Sequence, residues 1–87
     1  MKLRWSPQAW ESYEYWHKTD KKIASRINKL IENIKQTPFR GIGKPEPLKL
    51  NLSGKWSRRI TEEHRLVYEV VGKEVKILYI IQCQYHY

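Results

Sequence analysis

The stretch WSRRITEEHRLVYEVVGKEVKILYIIQC, residues 56–83, decides the fold class. It divides into three runs rich in β-branched and aromatic residues, the pattern of strands bounded by turn signals. The expected strands cover residues 56–61, 64–71 and 75–83, with Gly72-Lys73 as the hairpin turn between the last two. The third run is apolar on both sides: Val75, Ile77, Tyr79 and Ile81 alternate with Leu78 and Ile80. That pattern predicts a central strand covered on both faces.

Upstream of these strands the periodicity changes. Leu3-Arg4-Trp5 predicts a short strand, and Ser6-Pro7 a helix start, with serine as N-cap and proline at the first helical position. Trp10, Tyr13 and Trp16 fall near helical spacing and predict an aromatic face turned to the core. A second helix opens at Thr19-Asp20, with Thr19 as cap and Asp20 favourable at the positive helix end. Ile23, Ile27, Leu30, Ile31 and Ile34 then form one apolar stripe. The opposite face carries Lys22, Arg26, Lys29 and Lys35, and Thr37-Pro38 ends the helix. Residues 38–55 are rich in Gly and Pro, with Leu48-Lys49-Leu50 as a short strand among them. One strand, two helices and several consecutive strands make an α+β chain, with both helices packed on a mainly antiparallel twisted sheet. No repeat or linker divides it, so residues 1–87 are expected to form a single domain.

Composition narrows the partners. The formal net charge is +8, which favours a polyanion: nucleic acid, an acidic protein or an anionic surface. Four Trp and six Tyr are many for 87 residues, enough to build a core and leave rings at the surface. The one cysteine, Cys83, cannot form an intramolecular disulfide, which fits a reducing compartment. No apolar run resembles a signal peptide or a membrane span. A cytoplasmic chain, complete as written and without membrane attachment, is expected.

Candidate chemistry is sparse, and each residue has two readings. His17, His64 and His86 have no metal-ligand spacing with one another or with Cys83, so no metal and no cofactor are expected. Cys83 ends an apolar strand and is expected to be a buried, inert thiol. Glu46 lies between Pro45 and Pro47, which stiffen it into an extended conformation. It is either a positioned general base or an ordinary surface glutamate. Arg58 and Arg59 are adjacent on a strand, so at most one of them shares a face with Arg65. An arginine on a sheet face either grips phosphate with its planar fork or is a solvated charge. His86 and Tyr87 end the chain, directly after an apolar strand, and are either a tail or fixed at the sheet edge. One carboxylate, one arginine and one histidine suffice for RNA cleavage, because the ribose 2′-hydroxyl supplies the nucleophile.

The motifs Lys44-Pro45-Glu46-Pro47-Leu48-Lys49, Asn51-Leu52-Ser53-Gly54, Trp56-Ser57-Arg58-Arg59-Ile60, Glu63-His64-Arg65-Leu66-Val67-Tyr68 and Tyr85-His86-Tyr87 occur in this order. With Trp5-Ser6, Tyr15-Trp16 and Thr37-Pro38-Phe39, they resemble the YoeB (Txe) branch of RelE-type bacterial toxins over essentially the whole chain. The resemblance implies a small microbial-ribonuclease-like fold, ribosome-dependent cleavage of mRNA and neutralisation by an antitoxin of the YefM/Axe kind. It also allows a homodimer. By motif it implies Glu46 as general base, His86 as general acid, Arg65 as the cation of the transition state and Tyr87 as a substrate-orienting residue. Lys49 and Arg59 become phosphate-binding candidates, and Lys22, Arg26 and Lys29 a basic face for RNA. Gln84 departs from the pattern, which has a basic residue there, and the segment from Val70 to Ile81 is slightly longer. Two rival readings are a basic module that docks on RNA or the ribosome without cutting, and a DNA-binding repressor. The second is disfavoured, because the basic helix lacks a helix-turn-helix partner.

Overall fold

The computed structural model describes residues 1–85. The order is β1 (Lys2–Trp5), α1 (Pro7–Thr19), α2 (Lys21–Gln36), β2 (Glu46–Pro47), a 3₁₀ turn (Leu50–Leu52), β3 (Trp56–Arg59), β4 (Arg65–Val71) and β5 (Ile77–Gln82). The five strands form one sheet in the order β1-β5-β4-β3-β2. Only β1 runs parallel to its neighbour, β5; the other pairings are antiparallel. This is the expected α+β architecture, with both helices on one face of the sheet.

Local chemistry accounts for the helices. Ser6 caps α1 by accepting from the Ala9 N–H at 3.0 Å, and Pro7 opens the helix. The cap of α2 is Asp20, not Thr19: its carboxylate accepts from the N–H groups of Lys22 and Ile23. Thr19 is instead the last residue of α1, and its hydroxyl donates to the Tyr15 carbonyl. Asp20 also closes α1 through its own N–H to the Trp16 carbonyl, so one residue ends one helix and starts the next. The α2 stripe is buried at Ile27, Leu30, Ile31 and Ile34 and packs with Leu66, Tyr68, Leu78 and Ile80 of the sheet. Each such aliphatic side chain contributes on the order of 2 kcal/mol through burial.

Three further expectations are corrected. The buried face of α1 is Ala9, Ser12 and Trp16, whereas Trp10 is 46% exposed. Trp10 and Tyr13 join Trp5 in a ring cluster on the flank, with Trp5 stacked on Tyr13 at 4.6 Å. Periodicity located a helix face, of which Trp16 is buried as expected, while the small Ala9 and Ser12 take the place expected of Trp10. Leu48-Lys49-Leu50 is not a strand: β2 ends at Pro47, one further bond runs from the Leu48 N–H to the Lys55 carbonyl, and Leu50 has a left-handed φ of 57° where the chain enters its 3₁₀ turn. β5 is central but covered on one face only. Leu78 and Ile80 are fully buried, whereas Ile77, Tyr79 and Ile81 are half-buried and Val75 lies exposed in the turn before β5.

Candidate active site

The face of the sheet opposite the helices carries the candidate residues, and the strand register fixes who stands beside whom. Directly paired residues share a face, and successive residues alternate. Glu46 pairs with Ser57, Ser57 with Val67, and Val67 with Gln82. This row crosses four strands, and Ser57 and Val67 are buried at its floor. One two-residue step along, Arg59 pairs directly with Arg65. The structure thus brings Glu46, Arg59 and Arg65 to one surface. Two strand spacings and one two-residue repeat separate Glu46 from Arg65, about 12 Å between Cα atoms.

Each residue is held by its own neighbours. Glu46 is exposed on the short edge strand β2. The adjoining Pro47 lacks an N–H, which an edge position tolerates. The approach to β2 is fixed by Gly43, whose carbonyl accepts from the Arg59 N–H at 2.7 Å. Gly43 has a φ of +80°, and a Cβ there would meet Leu30 at 2.7 Å, so both conformation and space demand glycine. Arg65 donates through Nη1 to the carbonyls of Thr61, Glu62 and His64 at 2.7, 3.0 and 3.2 Å. These carbonyls belong to the hairpin tip between β3 and β4, so the loop clamps one end of the guanidinium. Arg59, by contrast, is exposed. Two like charges directly opposite on a sheet repel, so the pairing of Arg59 with Arg65 weakens the fold and favours a bound anion.

Lys49 is exposed and lines the same open groove as Glu46. Lys22, Arg26 and Lys29 line a different groove on the outer side of α2. Arg26 also reaches the sheet, where its Nη2 donates to the Arg59 carbonyl at 3.4 Å. The predicted roles of His86 and Tyr87 fall outside the described residues. Their immediate predecessor is firmly placed: Tyr85 accepts at its carbonyl from the Arg65 N–H at 3.0 Å. The residues before it lie along α1. Ser6 donates to the Ile81 carbonyl, Ser12 to the Gln84 side-chain oxygen and Trp16 to the Cys83 carbonyl. Gln84 therefore faces α1, and it accepts there, which a basic residue cannot do.

Arg58 is the residue whose role the sequence concealed. It is fully buried on the helix side, opposite to Arg59. Its Nε donates to the Tyr68 hydroxyl, Nη1 to Asn33 Oδ1 and the Ile42 carbonyl, and Nη2 to the carbonyls of Thr37 and Arg40. One guanidinium thus organises the connection from α2 toward β2. The alternation from Trp56 already placed it on the core side, but a charge argues against burial until all its partners are counted. Cys83 is buried, and burial pushes its thiol up to about 12. Among the described residues no group of three His, Cys, Asp or Glu is placed to hold a metal ion, and no helix is long and apolar enough to cross a membrane.

Comparison with known proteins assigns the family. Residues 5–87 match the family described as the YoeB-like toxin of bacterial type II toxin-antitoxin systems. The toxin YoeB of Escherichia coli strain K12 is 60% identical over 87 residues, covering all of both chains. A solved YoeB/ParE toxin from Agrobacterium tumefaciens is 54% identical with a TM-score of 0.97, again over all of both chains. The Staphylococcus aureus YoeB has been solved both as a dimer, at 46% identity and a TM-score of 0.90, and in complex with YefM, at 45% and 0.89. Each covers 100% of this chain and 98% of the other. With the sequence motifs, the sheet topology and these similarities in agreement, the chain belongs to the YoeB-like toxins of bacterial type II toxin-antitoxin systems.

Proposed function

We propose that this toxin is a ribosome-dependent mRNA endoribonuclease that works without metal. The observation that carries the reading is the surface holding Glu46 opposite the Arg59–Arg65 pair. Glu46 stands about 12 Å from Arg65 and about 8 Å from Arg59 between Cα atoms, which leaves room between the side chains for one phosphodiester. Glu46 takes the proton of the ribose 2′-hydroxyl, whose oxygen attacks the adjacent phosphorus. Arg65 stabilises the extra negative charge of the phosphorane, and the Nη1 bonds to the hairpin keep its fork oriented for that task. The bond from phosphorus to the 5′-oxygen breaks, and His86 delivers a proton to the departing oxygen. Products are a 2′,3′-cyclic phosphate and a 5′-hydroxyl. Tyr87 orients the substrate, and Arg59 and Lys49 bind flanking phosphates.

Lys22, Arg26 and Lys29 lie on the outer side of α2, where Arg26 alone reaches the backbone of Arg59, and grip ribosomal RNA backbone. A YefM-like antitoxin neutralises the toxin, in keeping with the S. aureus complex, and a homodimer is consistent with the S. aureus dimer. The setting is the cytoplasm, where ribosomes are. The competing assignment is a basic module that binds ribosomes without cutting. Single-turnover cleavage on programmed ribosomes separates the two. His86→Ala and Arg65→Ala should each lose about 10²–10⁴-fold in rate with ribosome affinity retained. A loss confined to affinity would reassign both residues to docking.

A further inference from the structure

His64 has no part in the chemistry above, yet its side chain makes a bond of unusual placement. Its Nδ1 accepts from the Tyr85 N–H at 2.8 Å. The next residue, Arg65, donates its own N–H to the Tyr85 carbonyl at 3.0 Å. Two consecutive residues of one hairpin therefore hold both polar groups of a single residue near the chain's end. Tyr85 needs this restraint. It has a φ of 63°, a left-handed conformation that a non-glycine residue keeps only when its surroundings impose it. The imidazole is itself held by Trp16 in an edge contact, with ring centroids 4.8 Å apart, and the His64 backbone N–H donates to Thr61 Oγ1 at 3.1 Å.

We propose that His64 is a positioning residue: its Nδ1 holds Tyr85 in a left-handed conformation whose carbonyl fixes the backbone of Arg65, the cation of the proposed site. The inference rests on the ribonuclease reading. The left-handed conformation presents the Tyr85 carbonyl to the Arg65 N–H, and that bond ties the backbone of Arg65 to Tyr85. Without the imidazole acceptor, Tyr85 returns to an ordinary φ, and the bond that holds the Arg65 backbone is lost. A misplacement of about 1 Å in a reacting group is enough to cost about 10²-fold in rate.

The test compares three variants of the full chain. His64→Ala removes the acceptor, and His64→Gln carries its oxygen one bond too far. His64→Asn places an oxygen close to the position of Nδ1. Single-turnover cleavage on programmed ribosomes should fall about tenfold to 10²-fold in the Ala and Gln variants, with ribosome affinity unchanged. The Asn variant should recover most of the rate. Exchange of the Tyr85 amide hydrogen, followed by NMR on the free protein, should be fast in Ala and Gln and slow in wild type and Asn. Wild-type rate in His64→Ala overturns the proposal. So does equal impairment of Ala and Asn, which would mean that the ring packs rather than accepts. A wild type that fails to cleave overturns the ribonuclease reading, and the role of His64 with it. Cleavage by wild type with unaffected variants overturns only the present inference.

Discussion

Replacing Arg58 with methionine should cost far more than replacing any other arginine, and the structure gives the size. The guanidinium is fully buried and serves five acceptors: the Tyr68 hydroxyl, Asn33 Oδ1 and the carbonyls of Ile42, Thr37 and Arg40. A well-packed apolar replacement of a buried ion pair is often tolerated, because both charges leave together. Among the described residues the acceptors around Arg58 are neutral, and methionine strands them. Each buried acceptor left without a donor costs about 1–3 kcal/mol. Some carbonyls of the 37–42 connection can regain water, so a net loss of about 3–5 kcal/mol is expected rather than the full sum. Native domains are stable by only about 5–15 kcal/mol, so the variant should sit near the edge of folding. Urea unfolding with tryptophan fluorescence measures it, and at a slope of about 1.5 kcal/mol/M the midpoint should fall by roughly 2–3 M. Arg58→Lys should fall between, since three donors on a flexible stem cannot replace a five-donor fork. A midpoint for Arg58→Met within 0.5 M of wild type, about 1 kcal/mol or less, would refute the claim that this guanidinium organises the connection to β2.

Cys83 sets an alkaline limit. Its thiol is pushed from 9.0 to about 12 in the folded chain, so only the unfolded chain ionises it between these values. Stability should be independent of this group below about pH 9 and fall by up to about 1.4 kcal/mol per pH unit above it. Tyr68, also raised by burial, adds a loss of the same sign above pH 10. Urea titrations at pH 8 and pH 10.5 measure the difference, and equal midpoints would contradict it. On α2, replacing Lys22, Arg26 and Lys29 together with Gln should weaken ribosome binding and flatten its salt dependence, with cleavage at saturating toxin nearly unchanged. Equal affinity across a salt series would make this helix a solubilising face.

What the sequence disclosed follows from how local each signal is. The α2 stripe and the strand alternation from Trp56 to Ile80 depend on neighbours a few residues apart, and the structure agrees with both. The stiff Pro45-Glu46-Pro47 segment was visible for the same reason, although its pairing with Ser57 was not. The parallel contact of β1 with β5 joins residues some 75 positions apart, and no periodicity encodes it. Trp10 had the right spacing for a core face but is exposed, whereas Ala9 and Ser12 are buried beside Trp16 and Tyr13 packs against the core's edge. Arg58 and His64 were hidden for another reason. Their roles depend on what surrounds them in space: the five acceptors around Arg58, and the N–H that reaches His64 from the far end of the chain.

The most direct measurement of the central claim is the chemistry of the cut end. Programmed ribosomes are incubated with wild-type toxin or with Glu46→Gln, and the upstream RNA fragment is examined for its 3′ terminus. Wild type should leave a 2′,3′-cyclic phosphate, the product of attack by the neighbouring 2′-oxygen. Glu46→Gln, which keeps the shape and removes the base, should leave the mRNA intact while still binding the ribosome. Ends bearing a 3′-hydroxyl, or wild-type cleavage by Glu46→Gln, would contradict the account.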